Sequence, residues 1–115
     1  YVPEEYVREA LRAQPLVKRA RLAITCEEEF MAELARIREA GYATAMDETT
    51  DGVAGVAAPI IGVDGKVIAG LAVLMPTAAW SDDVRARDLH AVCVAAAQVS
   101  KLMGYQAGLI HESLL

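Results

Sequence analysis

The sequence predicts an α+β fold in which an antiparallel sheet is flanked by helices that cover at least one of its faces. Two apolar runs surround the dipeptide Asp64-Gly65, which favours a tight hairpin turn with positive φ at both central residues. Apolar residues recur at helical spacing both before and after these runs. At 115 residues the chain is long enough for one domain with a sizeable core.

Two helices are predicted ahead of the sheet. The first runs from Pro3 to about Ala13, with proline at a position that the first turn tolerates. The second covers residues 26–40, begins with a capping box between Thr25 and Glu28, and stops at Gly41. Between them lies a basic run that is predicted to be an exposed connector, namely Lys18, Arg19 and Arg21.

The strands are predicted at residues 42–46, 53–63 and 66–75, and the last helix follows them. A two-residue turn would place Val63 opposite Lys66 and thereby fix every other pair of the hairpin. The third helix has Ser81 as its N-cap, followed by two carboxylates, and runs to about Gly104. The residues after it form a poorly defined tail that contains His111.

In this register the two faces of the hairpin differ. One face is bulky and is predicted to pack as ordinary core against a helix. The other narrows at its centre to small residues, namely Gly55, Ala57, Gly70 and Ala72. Because such strand interiors have little of their own to pack, either a helix comes unusually close or a ligand lies above the sheet. The residues alone favour the close helix.

Composition excludes some functions. The net charge of −5 and the isoelectric point near 4.9 argue against a nucleic-acid grip, which needs a basic face. Two cysteines without a CxxC pattern fit a reducing cytoplasm, and no signal peptide or membrane span is evident. The chain opens on Tyr1 rather than Met, which suggests a piece of something longer.

Two groups of residues could suggest other chemistry. The acidic turn of Asp47, Glu48 and Asp51 could attract a hard cation, but its spacing fits no calcium loop and a solvated turn is predicted. His90 and Cys93 lie one helical turn apart, with no third group at suitable spacing, and are predicted to be a core or interface pair. No catalytic residue, metal site or cofactor is therefore expected, and the chain is not predicted to be an enzyme.

A longer pattern indicates a family. The run ELARIREAGYATAMDETTDGVAGVAAPIIGVDGKVIAGLAVLMP, followed by the helix start WSDD, resembles the effector-binding domain of the isocitrate lyase regulator (IclR) family of bacterial transcription factors. The closing SKLMGY extends this resemblance from about Pro3 to Tyr105. It implies a GAF/PAS-like sensor domain that binds a small-molecule effector and assembles as a homodimer or homotetramer.

The resemblance also implies how the protein is organised. Residues 1–115 would be the later part of the effector-binding domain, and operator DNA would be bound through an N-terminal winged helix-turn-helix absent from this chain. Such a regulator would be cytoplasmic and not bound to a membrane. The alternative is a stand-alone GAF/PAS-type sensor or assembly domain attached to another output.

The resemblance places the family's ligand contacts on four positions, with Val53 as a neighbouring wall: Ala45, Gly55, Ala72 and Leu74. Three of these lie on the small-residue face, beside Ala57 and Gly70, and this agreement favours a pocket there. Family members that bind small keto acids have Asp, Cys and Ser at such positions. An anion buried without partners is costly, so we expect a larger and more apolar effector, either aromatic or aliphatic.

Overall fold

The computed structural model describes residues 1–106, so the tail with His111 lies outside the described residues. Along the chain it contains α1 (Glu4–Ala13), α2 (Glu27–Ala40), β1 (Ala43–Met46), β2 (Val53–Ile61), β3 (Val67–Pro76), a 3-10 turn (Thr77–Ala79) and α3 (Asp82–Leu102). The three strands form one antiparallel sheet in the order β1-β2-β3. This is the predicted α+β class. None of the described helices is both long and apolar enough to cross a membrane.

The helix ends follow the sequence in two cases and depart from it in one. α2 ends at Gly41, whose φ is 83°, and the Ser81 side chain accepts a hydrogen bond from the Val84 amide at 3.1 Å. The predicted capping box of α2 does not form: its N-cap is Cys26, which makes no side-chain cap bond. The Glu28 carboxylate instead accepts from the Arg8 guanidinium at 3.2 Å, a charged donor that makes a stronger bond than a backbone amide.

The hairpin turn is longer than predicted. The Gly62 amide donates to the Lys66 carbonyl at 2.8 Å, and the Gly65 amide donates to the Gly62 carbonyl at 3.0 Å. The loop is therefore Val63–Gly65, and the predicted two-residue turn is wrong. Of its residues only Gly65 has positive φ, at 81°, which is the usual arrangement when a type I turn is followed by a left-handed glycine.

The register of the hairpin nevertheless agrees with prediction over most of its length, including the pairs Gly55–Leu74 and Ala57–Ala72. An irregularity at Ile60/Ile61 pairs Ile61 with Val67 rather than with the predicted partner, Ile68. The extra residue in β3 compensates for the longer loop, because each changes the alignment by one residue in the opposite sense. Two departures from the simple hairpin thus cancel.

A buried serine stabilises this bulge. The Ile61 amide donates to Ser100 Oγ at 2.8 Å, and Ser100 Oγ donates to the Ala96 carbonyl at 2.8 Å. Ser100 is 4% exposed. The bulge therefore meets α3 through a satisfied hydrogen bond rather than an unpaired buried amide.

The core lies between the sheet and α3, as predicted for the bulky face. Its members are nearly inaccessible to solvent and comprise Val56, Ala58, Val92, Cys93 and Ala96. Cys93 is 0% exposed, and burial raises the pKa of its thiol. His90 is exposed on the same helix, so it does not share the core position of Cys93.

Candidate functional site

The face of the sheet away from α3 carries two rows of residues that are small except for Leu74. Alternation along the strands and the observed register place Ala45, Gly55 and Leu74 in one row, and Ala43, Ala57 and Ala72 in the next. These rows form the floor of a depression of about 370 Å³, which we call the hollow. Its volume is in the range of small-molecule sites.

The hollow exists because short side chains meet and no helical residue of the described chain lines it. Gly55 is the most constrained of its floor residues. A Cβ at that position would lie 2.6 Å from Leu74 Cδ2 and 3.0 Å from the Val73 carbonyl oxygen. Glycine therefore lets the Leu74 side chain lean over the floor, and Leu74 itself remains 71% exposed.

The structure gathers six of the seven predicted site residues around the hollow: Ala45, Val53, Gly55, Ala57, Ala72 and Leu74. Gly70 is the exception, because it lies at a smaller cavity of about 200 Å³ that Tyr1, Ile37 and Tyr42 also line. A Cβ on Gly70 would meet only the Ala58 carbonyl oxygen, at 4.0 Å. That these residues contact a ligand stays a prediction.

Sequence reasoning missed the wall formed by the turn between β1 and β2. Glu48, Thr49 and Thr50 line the hollow together with the strand residues. The acidic turn was predicted to be solvated, and for this reason it was not predicted to line a site. The available signal was that it joins two strands whose small residues share one face, since loops beside a rigid sheet often carry binding groups.

Asp47 holds this turn in place. It is 5% exposed and adopts a left-handed φ of 54°. Its Oδ1 accepts from the Gly52 amide at 2.7 Å and the Thr77 hydroxyl at 3.1 Å, while its Oδ2 accepts from Arg21 at 2.7 Å. The Arg21 hydrogen bond, followed by that from Gly52, holds the pKa of this carboxyl below its ordinary value. The predicted solvated turn is therefore wrong at Asp47.

The connector before α2 is tied to the same turn. The Arg21 amide donates to Asp51 Oδ1 at 2.6 Å, and the Leu22 amide donates to the Asp47 carbonyl at 2.7 Å. Lys18 and Arg19 are exposed, as predicted for the connector. Through Arg21, however, the connector helps to fix the wall of the hollow.

The hollow is lined by an acidic side chain. Glu48 is the one ionisable residue among the described residues that line it. Burial raises the pKa of the Glu48 carboxyl, and the neighbouring Glu33 raises it further, while the Met46 amide and Arg36 lower it. Over residues 1–106 no cluster of three or more His, Cys, Asp or Glu residues could hold a metal ion.

Comparison with known proteins gives a family match over most of the chain. Residues 1–101 match the family described as "Bacterial transcriptional regulator IclR C-terminal". The HTH-type transcriptional regulator KdgR of Dickeya chrysanthemi is 31% identical over 101 residues, which are 88% of this chain and 33% of KdgR. The chain thus spans about a third of the length of the curated relatives it matches.

Solved structures share the fold. An IclR transcriptional regulator from Alicyclobacillus acidocaldarius is 33% identical with a TM-score of 0.83, over 90% of this chain and 41% of that one. A double mutant of the PobR inducer-binding domain from Acinetobacter, solved with 3-hydroxy benzoic acid, has a TM-score of 0.82 over 88% of this chain and 58% of that one. At 22% identity the second likeness shows the fold alone.

Proposed function

Because the chain belongs to the IclR family of bacterial transcriptional regulators, whose C-terminal domain it matches, we propose that it senses a small organic effector in the hollow. Its relatives are transcriptional regulators and not enzymes. The observation that carries the proposal is the hollow itself, where two rows of mostly small residues leave about 370 Å³ above the sheet. Small-molecule sites are typically concave, largely apolar spaces of this size.

The effector is proposed to be largely apolar. Apart from Glu48 and the threonines, the hollow is lined by Ala, Val, Gly and Leu. These side chains favour a hydrocarbon body through burial of apolar surface, and they offer no hydrogen bonds to a two- or three-carbon acid. The same fold forms a complex with an aromatic acid in PobR, so aromatic compounds belong among those tested here.

The effect on transcription would arise from linkage. An effector that binds one arrangement of the domain more tightly shifts the population of that arrangement, and with it the DNA-binding parts attached to the same regulator. Operator DNA would be bound by a part of the protein outside this acidic chain, whose net charge is −5.

The domain is also proposed to assemble as a homodimer or homotetramer, in the cytoplasm. The strand β3 lies at one edge of the sheet and carries exposed large apolar side chains, including Ile68 and Val73. Exposed apolar surface of this kind is typical of association sites. Sedimentation of the chain at several concentrations tests the proposal, and a monomer at every concentration would refute it for this segment.

Calorimetric titration tests the sensing proposal. Benzyl alcohol and 1-pentanol, as apolar compounds with neutral heads, should bind more tightly than glyoxylate and pyruvate. Ala72→Leu places a larger side chain on the floor and should abolish this binding. Ala35→Leu, the same change at an exposed position of α2 outside the lining of the hollow, should leave it intact. Tighter binding of the two small acids would overturn the proposed effector class.

A further inference from the structure

The charge of the hollow limits the head group of its ligand. Resting on the proposed function, we infer that the hollow takes a neutral or cationic amphiphile, with an apolar body and a hydroxyl or ammonium head near Glu48, and that it disfavours carboxylates. The lining contains Glu48 but no Lys, Arg or His among the described residues. Without such a cation, an acid lacks the charge-assisted hydrogen bonds that bind a carboxylate most strongly.

Glu48 is placed to act on a ligand from the rim. It lines the hollow and also two adjoining cavities, one beside the connector with Ala23 and Phe30, the other beside α2 with Glu33 and Arg36. Its side chain therefore stands where these spaces meet. A charge at such a position acts on any head group that enters the hollow.

The negative charge of Glu48 is not neutralised by a salt bridge within residues 1–106. Arg36 lowers the pKa of Glu48, but its guanidinium is engaged by Glu33 through two hydrogen bonds, one of them 3.0 Å long. The Arg21 guanidinium is engaged in the same way by Asp47. Arg19 and Arg85 also line the adjoining cavities, but neither forms a salt bridge with Glu48 in the described part of the chain, so the Glu48 carboxylate keeps its negative charge at the rim.

The polar partners beside Glu48 also suit an uncharged or cationic head. Thr49 and Thr50 each bring a hydroxyl, which can both donate and accept. Glu48, when ionised, only accepts, so it pairs with a hydroxyl or ammonium donor and not with a second carboxylate. A carboxylate ligand would therefore meet like charge at the rim and an apolar floor beneath it.

A series of ligands with the same ring tests this inference. Benzylamine, benzyl alcohol and benzoate differ mainly in the charge of the head group. At low salt, benzylamine should bind at least as tightly as benzyl alcohol, and benzoate should bind roughly fivefold more weakly than the alcohol, or worse, because a charge pair at about 4 Å contributes about 1 kcal/mol even in water. Raising the ionic strength should reduce these differences in affinity.

The variant Glu48→Gln should bind benzylamine more weakly and benzoate more tightly than the unmodified chain does. The affinities of the three ligands should therefore differ less. Glu39→Gln, the same change at an exposed position near the end of α2, should leave the series unaltered. Thermal unfolding of both variants checks that they fold. The salt dependence of the unmodified chain tests the same electrostatic effect without any substitution.

The outcomes distinguish a failure of the charge inference from a failure of the sensing proposal. Benzoate as the tightest ligand would overturn the charge inference while leaving the sensing proposal standing. Differences in affinity that neither salt nor Glu48→Gln changes would also overturn the charge inference. If no ligand of any charge binds, the sensing proposal fails and the charge inference fails with it.

Discussion

The two faces of the sheet contain residues of similar size, but one face is packed and the other is open. Ala54, Val56 and Ala58 are at most 3% exposed. The helix α3 packs against Val56 and Ala58. On the other face Ala45 and Ala72 remain exposed around the hollow. Short side chains allow a helix to approach closely where one is present and leave a space where none is. Residue size alone therefore does not distinguish a tight core from a binding site.

The same substitution on each face gives the strongest contrast. Ala58→Leu adds volume to the packed face and should lower the free energy of unfolding by about 3 kcal/mol. Ala72→Leu adds the same volume on the open face and should change it by less than about 0.5 kcal/mol. Urea denaturation of both variants measures the difference. Equal losses would mean that the open face is packed as tightly as the core.

The bulge offers a second contrast, between a buried and an exposed hydrogen bond. Ser100→Ala leaves the Ile61 amide without its acceptor, and an unpaired buried donor costs about 1–3 kcal/mol. Ser81→Ala removes only the exposed cap of α3, which costs about 1 kcal/mol. Hydrogen exchange should show the Ile61 amide losing protection in Ser100→Ala alone. Unchanged exchange there would refute the role given to Ser100.

The Asp47 contacts should show a smaller, pH-dependent effect. Asp47→Asn removes the ion pair with Arg21, whose side chain is 63% exposed, so the loss of thermal stability should be modest. The pKa of Asp47 is held below its ordinary value, so the pair stabilises the fold above about pH 4, and this stabilisation is lost as the pH falls through the lowered pKa. The difference between variant and unmodified chain should be constant from about pH 5 to pH 8 and shrink below about pH 4.

Asp64→Asn is the matched control, because Asp64 lies in the exposed hairpin loop. Its melting temperature should stay close to that of the unmodified chain. The difference in melting temperature between Asp47→Asn and the unmodified chain should disappear at acid pH. If it persists there, the ion pair is not its source.

The sequence was sufficient for features that depend on local pattern. Glycine and capping signals located the end of α2 and the start of α3, and strand alternation identified which small residues share a face. The capping box failed because the helix begins one residue later than the box requires, with Cys26 as its N-cap, and Glu28 pairs instead with the distant Arg8. The turn failed because Asp-Gly suits both two- and three-residue loops, and only the bulge near Ile61 restored the register.

The sequence predicted the residues on the floor of the hollow but not the turn that forms its wall. The floor follows from alternation along three strands. Glu48 and the threonines line the hollow from a turn that Asp47 ties to groups far away in sequence, Arg21 and Thr77. The sequence shows three acidic residues in a turn and cannot show that one of them is buried. As a result, it predicted a lining of hydrocarbon and missed the charge at the rim.

The most direct test of the account is to locate a bound ligand by amide NMR. Titration with benzyl alcohol should shift the amides of Gly55, Ala57 and Ala72 together, and leave those of Val92 and Ala96 on the opposite side of the sheet unchanged. Shifts centred on α3 or on Gly70, or none at millimolar concentrations of alcohol, would contradict the claim that the open face is a small-molecule site.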